Sequence, residues 1–419
     1  MISILDKKKC CGCSACAQRC PKHCIKMIED SEGFLYPKVD GDTCIDCGLC
    51  ERVCPIQNPG EDRVPLAVYA AKNPNEVIRR QSSSGGIFTI LAEQIIDEGG
   101  VVFGAAFNDK WEVEHSYVEN KEQLVKFRGS KYVQSKIGES YKDAKSFLKE
   151  GRRVLFSGTP CQIAALKKYL RKNYENLFTV DFICHGVPSP GVFRTYLQEE
   201  INIESVRQGG GKNTVLHPCI PLITEGNGLD YKGMKIKSIS FRDKRHGWKK
   251  YGFALQLSKA SAAEEKNSVS LSYASFFNKN LFLRGFLKNL YLRPSCYACK
   301  TRDFKSGSDV TLADFWGIGK LNRSMDDDKG VSMLIINTKE GQDYCKSFCV
   351  SQNLYSINEI RRFNPAAYHS CVEPANRSVF FGMNKSVHER ISILARLTFK
   401  EKIMIILKTI IREYLKIKV

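Results

Sequence analysis

"RRVLFSGTPCQIAALKKYL", residues 152–170, is the stretch on which the fold turns. Apolar residues run unbroken from Val154 to Phe156, Gly158-Thr159-Pro160 interrupt them, and Ile163, Leu166 and Leu170 resume at helical spacing. That order predicts a strand at about 153–157, a turn, and a helix with Pro160 in its first turn, where a missing N–H costs nothing. "LFTVDFICHGVPSPGVFRTYLQ", residues 177–198, repeats the plan with a strand at about 177–183. Two such β-loop-α units in succession predict a sheet with parallel strands. Each unit carries one cysteine, Cys161 or Cys184, just past its strand, at the sheet edge where α/β proteins gather their chemistry. If the strands are parallel neighbours, the two thiols come together. A cubane needs two more, and Cys296 and Cys299 of "LRPSCYACK" (292–300) are the best placed. On spacing alone, buried inert thiols explain Cys161 and Cys184 equally well.

The N-terminus is less ambiguous. Cys10, Cys13, Cys16, Cys20 and Pro21 form a C-x2-C-x2-C-x3-C-P run, and Cys44, Cys47, Cys50, Cys54 and Pro55 repeat it. This is the run of two-cluster ferredoxins, in which three cysteines of one loop hold one cubane and the fourth serves the other cluster. Cys10, Cys13, Cys16 and Cys54 are therefore expected on one [4Fe–4S] cluster, and Cys44, Cys47, Cys50 and Cys20 on the second. Zinc sites pair two C-x2-C units instead. Cys11 and Cys24 fall outside the pattern and read as spare, packed as small hydrophobes. The expected domains are a ferredoxin-type module over 1–60, a core over 61–330 and a C-terminal region over 331–419.

The chain has 419 residues, 18 of them cysteine, and a formal net charge of +19. "MISILDKKKCC" has no apolar run before its first charges, so a cytoplasmic location is expected and dense cysteine means metal or redox chemistry. The positive balance suits an acidic partner. No zinc-finger, RNA-recognition or basic-zipper signature supports nucleic acid. The tail "ISILARLTFKEKIMIILKTIIREYLKIKV" (391–419) is a basic amphipathic stretch. Membrane-surface contact is one reading, and packing on its own core or on another subunit is the plainer one. Cys345, Cys349 and Cys371 read as structural or spare.

Several weaker signals lie between. "QSSSGGIFTILAEQIIDEGGVVFGAAF" (81–107) runs from loop to helix to strand, and its Ser82–Gly86 opening is a natural phosphate position. "FRGSKYVQS" (127–135) is a basic, hydroxyl-rich loop that would suit a dinucleotide. "KIKSISFRDKRHGWKKYGFALQLS" (235–258) reads as a hairpin with an aromatic and basic turn, and "SDVTLADFWGIG" (308–319) as a strand ending in Asp314-Phe315-Trp316. Residues 203–235 look like an insertion or long loop.

Taken together, "SSSGG", "RGSKYVQS", "LFSGTPCQIAALK", "DFICHGVPSP", "ISFRDK" with "GWKKY", "LRPSCYACK" and "SDVTLADFWGI" resemble the coenzyme F420 hydrogenase/dehydrogenase beta-subunit family, in its form with a fused ferredoxin. The resemblance covers roughly residues 65–320. It implies an α/β or α+β core that binds FAD, with an added hairpin and a helical tail, and a third [4Fe–4S] cluster on Cys161, Cys184, Cys296 and Cys299. It maps flavin contacts onto Ser83, Ser84, Gly85 and Gly86, onto Arg128, Gly129, Ser130, Lys131 and Tyr132, and onto Gly158, Thr159 and Gln162; Asp314 is a further candidate. It implies an oxidoreductase working between an acidic ferredoxin or flavodoxin and a two-electron organic substrate. That substrate is coenzyme F420 or another metabolite, with surface-polysaccharide pathways as one setting. A homo-oligomer is also expected. The competing reading is an electron-relay subunit without catalysis. Lys131 and His185 are candidate proton donors, neither assigned as catalytic.

Overall fold

Clustered cysteines leave little room for long elements, and the N-terminal chain folds accordingly into short pieces. Helices α1 (Ala15–Arg19) and α2 (Leu49–Arg52) each follow a cysteine loop, and between them β1 (Ile25–Glu29) pairs antiparallel with β2 (Leu35–Val39). The computed structural model describes residues 1–208, 234–259, 270–349 and 353–396.

Beyond the module, β3 (Ala67–Ala71) leads into α3 (Glu76–Gln81) and α4 (Ile87–Asp97), whose Ile87, Leu91 and Ile95 line one buried stripe. Strands β4 (Val101–Phe107) and β5 (Val113–Val118) form a hairpin, followed by α5 (Ser140–Lys149). The two β-loop-α units appear as read: β6 (Val154–Gly158) with α6 (Pro160–Leu170), then β7 (Leu177–Phe182) with α7 (Pro190–Gln208). Thr159 and Gln162 close a capping box at the start of α6.

Strands β8 (Met234–Asp243), β9 (Gly252–Lys259) and β10 (Ser270–Phe276) make a separate antiparallel sheet, so the expected hairpin gains a third strand. Helix α8 (Leu281–Leu287) follows. Then come β11 (Val310–Asp314), α9 (Ile318–Leu321), β12 (Ser332–Ile336), α10 (Lys339–Cys349), β13 (Asn353–Tyr355), α11 (Asn358–Phe363), α12 (Arg377–Gly382) and α13 (Val387–Leu394).

The main sheet has the order β13-β3-β12-β11-β7-β6-β4-β5. Neighbours β4, β6, β7 and β11 are parallel, while β12 runs against both β11 and β3. Alternation decides which side each strand residue serves. Val102, Leu155 and Phe178 pack under α4 and α10, whereas Val101, Phe103, Val154 and Phe156 pack under α5 and α6. Strand β12 (Ser-Met-Leu-Ile-Ile) is buried throughout, as a strand covered on both faces requires. The sheet therefore crosses the expected boundary at residue 330: β12 and β13 are strands of the core, not of a separate C-terminal region.

The expected insertion over 203–235 is shorter at both ends, because α7 continues to Gln208 and β8 opens at Met234; residues 209–233 lie outside the described residues. So does the tail from 397 onward. Its described start, α13, packs Val387 and Ile391 into the apolar core that includes Tyr196 of α7 and Phe282 of α8.

An ionic latch holds α13 there. Glu199 on α7 accepts the backbone N–H groups of Val387 and His388, both at 2.8 Å. The His388 ring stacks on Tyr196 (4.8 Å between centroids) and contacts Glu199 and Glu200 through its two nitrogens. Burial opposes protonation, but the two carboxylates overcome it and lift the His388 pKa from 6.5 to about 9. A raised folded-state pKa contributes stability that is complete below pH 6.5 and disappears as pH rises through 9. We expect His388→Gln to loosen α13 at pH 7 by on the order of 2 kcal/mol, read as faster hydrogen exchange over 387–394, and to behave like wild type above about pH 10.

Candidate functional site

Packing brings cysteines of the two runs near one another. Cys16 lies among Cys10 and Cys54: burial first, and those two thiols next, push its pKa up to about 12. Burial also raises Cys54, with Cys10 adding to the rise against backbone donors from Gln57 and Ile56. Cys13 senses Cys16 and Cys10 in turn. The second group, Cys20, Cys44, Cys47 and Cys50, lines a small hollow together with Cys24. Cys47 is exposed and Cys44 half-buried, whereas the cysteines of the first group are all buried. Cys24, read as spare, has its sulfur 3.3 Å from that of Cys20.

The third group forms at the carboxyl ends of the parallel strands. Register places Gly158 beside Asp181, so the loops after β6 and β7 leave the sheet side by side and carry Cys161 and Cys184. The segment bearing Cys296 and Cys299 is tied to the second loop: Arg293 N–H donates to Val187 O (3.0 Å), and Val187 N–H donates to the Cys296 sulfur (3.4 Å). Cys299 N–H donates to Ser370 Oγ at 3.1 Å. The thiols feel one another. Cys184 is pushed up to about 12, chiefly by burial, with Cys161 and Cys299 adding to the rise against Arg302. Burial, then Cys184, raises Cys296. Cys161 is raised first by its contact with Cys11.

Gly186 sits inside this group at φ 151°, and a Cβ there would meet Leu292 at 2.8 Å and Cys296 at 3.3 Å. Arg302, buried, donates to the carbonyls of Cys184 and Ala366 and fixes the loop from behind. Among the described residues no three Cys, His, Asp or Glu side chains converge on a single-ion distance. Cubane ligands each bind a different iron, so their sulfurs stand farther apart.

Two further cysteines read as spare lie beside these groups. Cys11 is buried between Cys13 and Cys161, at the seam of module and core. Cys371 lies against Cys296, its thiol 3.5 Å from the Cys296 carbonyl. No spacing rule marks either, because tertiary packing alone brings them in. Cys345 is a buried core residue, as read; the side chain of Cys349 lies outside the described residues.

A cluster of serines and basic side chains occupies the same sheet edge. Ser83 Oγ and Ser130 Oγ pair at 2.7 Å, joining the serine-glycine loop to the Arg128–Tyr132 loop. Helix α4 begins at Gly86 (φ 81°) with no side chain capping its free N–H groups. Gly85 N–H donates to Ser332 Oγ (3.0 Å), and Ser84 Oγ to Val331 O (2.8 Å). Among the described residues Lys131 Nζ meets only the carbonyls of Arg128 and Gly129, both at 3.4 Å, and burial pushes its pKa down to about 7. Uncapped N–H groups, paired hydroxyls and a lysine lacking a carboxylate form a set suited to phosphate.

Arg242 ties this cluster together, though in the sequence it is only one charge of a basic turn. Its guanidinium donates to Asp314 Oδ2 (3.0 Å), Tyr132 Oη (3.2 Å) and Ser83 O (3.4 Å), and lies 4.0 Å from the Tyr251 ring centroid. Nearby, Trp248 stacks on Trp316 at 4.7 Å. Lys244 spans the carbonyls of Arg79, Ser84 and Lys329 and is pushed down to about 8, first by burial and then by Arg242 and Arg79. Gln162 accepts from Thr159 N–H (2.9 Å) and donates to Ser135 Oγ (2.9 Å), so its amide is occupied within the fold. Aromatic contacts link this cluster to the third cysteine group: Tyr132 stacks on Phe286 at 4.8 Å, and Phe286 meets His185, the neighbour of Cys184, at 5.2 Å. His185 Nε2 lies 2.6 Å from Asn289 Oδ1 and burial lowers its pKa. An open depression of about 550 Å³ at the opposite edge, lined by Glu98, Arg152, Arg153 and Glu175, touches none of these groups.

An α/β core fused to a two-cluster ferredoxin module, with a further cysteine group at the sheet edge, defines an iron–sulfur protein of the oxidoreductase type. The chain belongs to the coenzyme F420 hydrogenase/dehydrogenase beta-subunit family. Residues 151–361 match the carboxyl-terminal part of that beta subunit, 68–141 its N-terminal part, and 9–58 a 4Fe-4S dicluster domain. One of the subunits of the F(420)H(2) dehydrogenase of Methanosarcina mazei is 24% identical over 185 residues, 41% of this chain and 51% of that one. The coenzyme F420-dependent sulfite reductase of Methanocaldococcus jannaschii is 26% identical over 194 residues, 44% of this chain and 29% of that one. The chain thus spans about half the length of the first relative and less of the second. A chain of the F420-reducing [NiFe] hydrogenase complex from Methanosarcina barkeri aligns with a TM-score of 0.41 at 18% identity, over 79% of this chain and 89% of that one.

Removing Arg242 would strand Asp314, which is 18% exposed at the side chain. We expect Arg242→Ala to cost about 3 kcal/mol, measured by chemical denaturation. Fluorescence can follow it, since two of the three tryptophans, Trp248 and Trp316, stack at this place.

Proposed function

We propose that this chain is an iron–sulfur flavoprotein oxidoreductase, passing electrons between a ferredoxin-type carrier and a two-electron organic substrate through FAD. The reading is supported by one observation: cysteines from three separate segments come together at the sheet edge that also carries the Ser83–Ser130 hydroxyl pair. When bound, a flavin exchanges electron pairs with organic substrates and single electrons with cubanes, which carry one each.

The chain's own residues then have distinct tasks. Cys10, Cys13, Cys16 and Cys54 would hold the first cluster, Cys20, Cys44, Cys47 and Cys50 the second, and Cys161, Cys184, Cys296 and Cys299 the third. Ser83, Ser84, Gly85, Gly86 and the Arg128–Tyr132 loop would bind the cofactor's phosphates. Arg242 and Asp314 keep those loops in place, while Gly158, Thr159 and Gln162 shape the turn before Cys161. Lys131 Nζ, with a pKa of about 7, can hold or release a proton at neutral pH. With Cys47 exposed and the first group buried, the second cluster would face the carrier and the first the core. Coenzyme F420 or another two-electron metabolite would be the substrate.

Anaerobically purified chain should contain about twelve irons and one FAD. The pair Cys161→Ser and Cys296→Ser should leave about eight irons with FAD retained. Eight irons in wild type would sink the third cluster, and twelve irons without FAD would favour a pure relay subunit, a role compatible with a relative that is itself part of a larger dehydrogenase. Because the chain carries +19, reduction by an acidic ferredoxin should slow steeply as ionic strength rises from about 0.05 to about 0.5 M. A rate flat in salt would exclude charge-guided docking.

A further inference from the structure

We propose that Arg293 raises the reduction potential of the cluster ligated by Cys10 above that of its partner in the ferredoxin module, so that electrons collect on the side facing the core. This rests on the ligand assignment above and adds a residue that the assignment does not use.

Arg293 is 1% exposed, yet it makes no ion pair with a carboxylate among the described residues. Its Nε donates to Cys10 O (2.7 Å), Nη2 to Leu35 O (2.9 Å) and to the Cys10 sulfur (3.5 Å), and Nη1 to Gln134 Oε1 (3.0 Å). Gln134 is fixed in turn by donating to Cys11 O at 2.8 Å. The guanidinium lies over the Tyr36 ring at 4.3 Å and the Phe34 ring at 5.3 Å. Gly12 makes room for it: a Cβ there, at φ 68°, would come within 2.6 Å of Nη1. Each of these partners is neutral or a thiol.

A buried cation needs a negative charge nearby. The nearest group able to supply it is the Cys10 thiolate, with the cluster it would hold; Cys11 and Cys296 contribute less. Adding an electron makes that cluster more negative, so the guanidinium favours the reduced state, and a hydrogen bond to the sulfur acts in the same direction. The second cluster has no equivalent among the described residues. Its nearby Arg52 reaches only the Cys47 carbonyl from an exposed position, where water screens the charge. Arg293 also stands three residues before Cys296, with its carbonyl accepting the Cys296 N–H at 2.9 Å. The same residue therefore joins the first cluster's loop to the third cluster's loop.

The test is an anaerobic potentiometric titration of the full chain, followed by electron paramagnetic resonance, with iron counted in every sample. In Arg293→Gln, with iron unchanged, the reduced fraction of one cluster at fixed potential should fall at least tenfold, a downward shift of about 59 mV for one electron. Arg293→Lys, which keeps the charge, should stay within about threefold of wild type. Equal potentials in wild type and Arg293→Gln overturn the proposal, as does an equal fall in Arg293→Lys. If Arg293→Gln loses iron, Gln134→Glu decides. It sets a carboxylate against Nη1 and neutralises the guanidinium, so the same downward shift supports the proposal and its absence overturns it. Cys10→Ser keeps the cases apart: retention of all iron in that variant refutes the ligand assignment itself.

Discussion

The parallel ladder between β6 and β7 is the constraint on which the site depends. Five residue pairs, from Val154 beside Leu177 to Gly158 beside Asp181, set the two strands to end level. Parallel neighbours must also leave the sheet at the same edge. The loops carrying Cys161 and Cys184 therefore emerge together, and the loop after β11, paired to β7 in the same direction, emerges beside them with Asp314. Strand β3 points the same way and delivers the serine-glycine loop to this edge through its pairing with β12, where Ser332 lies opposite Ala71. A slip of one residue in any of these ladders would turn each side chain to the opposite face.

The module is joined to that edge by the apolar packing of Cys11, Cys13, Ala15 and Val53 against α5 and α6, and by buried polar contacts. Glu32 at the β1–β2 turn takes both terminal nitrogens of Arg377, at 3.0 and 2.6 Å, and its carbonyl accepts Ser189 Oγ at 2.5 Å. Gln134 reaches Cys11 and Arg293 reaches Cys10. Buried polar groups cost free energy when left unpaired, and each of these needs the other part of the chain to satisfy it. The arrangement fixes the distance and orientation between module and core, which single-electron transfer between separate centres requires.

Burial orders the three cysteine groups. Cys47 faces solvent, the first group is covered, and Cys161, Cys184, Cys296 and Cys299 are half-buried behind it, next to Cys11. Solvent and nearby charge are both levers on cluster potential. In the proposed reading, the uneven exposure of the three groups and the buried guanidinium of Arg293 would set the potential at each stage.

What is local could be read from the order of residues. Cysteine spacing marked the ferredoxin runs, because ligands on one loop reach one cubane only at those intervals. Apolar runs broken by Gly-Thr-Pro marked β6, α6, β7 and the parallel character of the core, because strand and helix periods differ. What is distant waited for packing. Folding brought Cys296 and Cys299 to Cys161 and Cys184, and placed Cys11 and Cys371 beside cysteine groups that no spacing rule assigns them to. It also made β12 and β13 part of the main sheet, past the boundary at 330 that the fading motifs imply. Arg242 and Arg293 looked like ordinary basic residues, since a charge reveals its role only through the groups packed around it. Those contacts span hundreds of residues in the chain, from Cys10 to Arg293, and no local pattern records them.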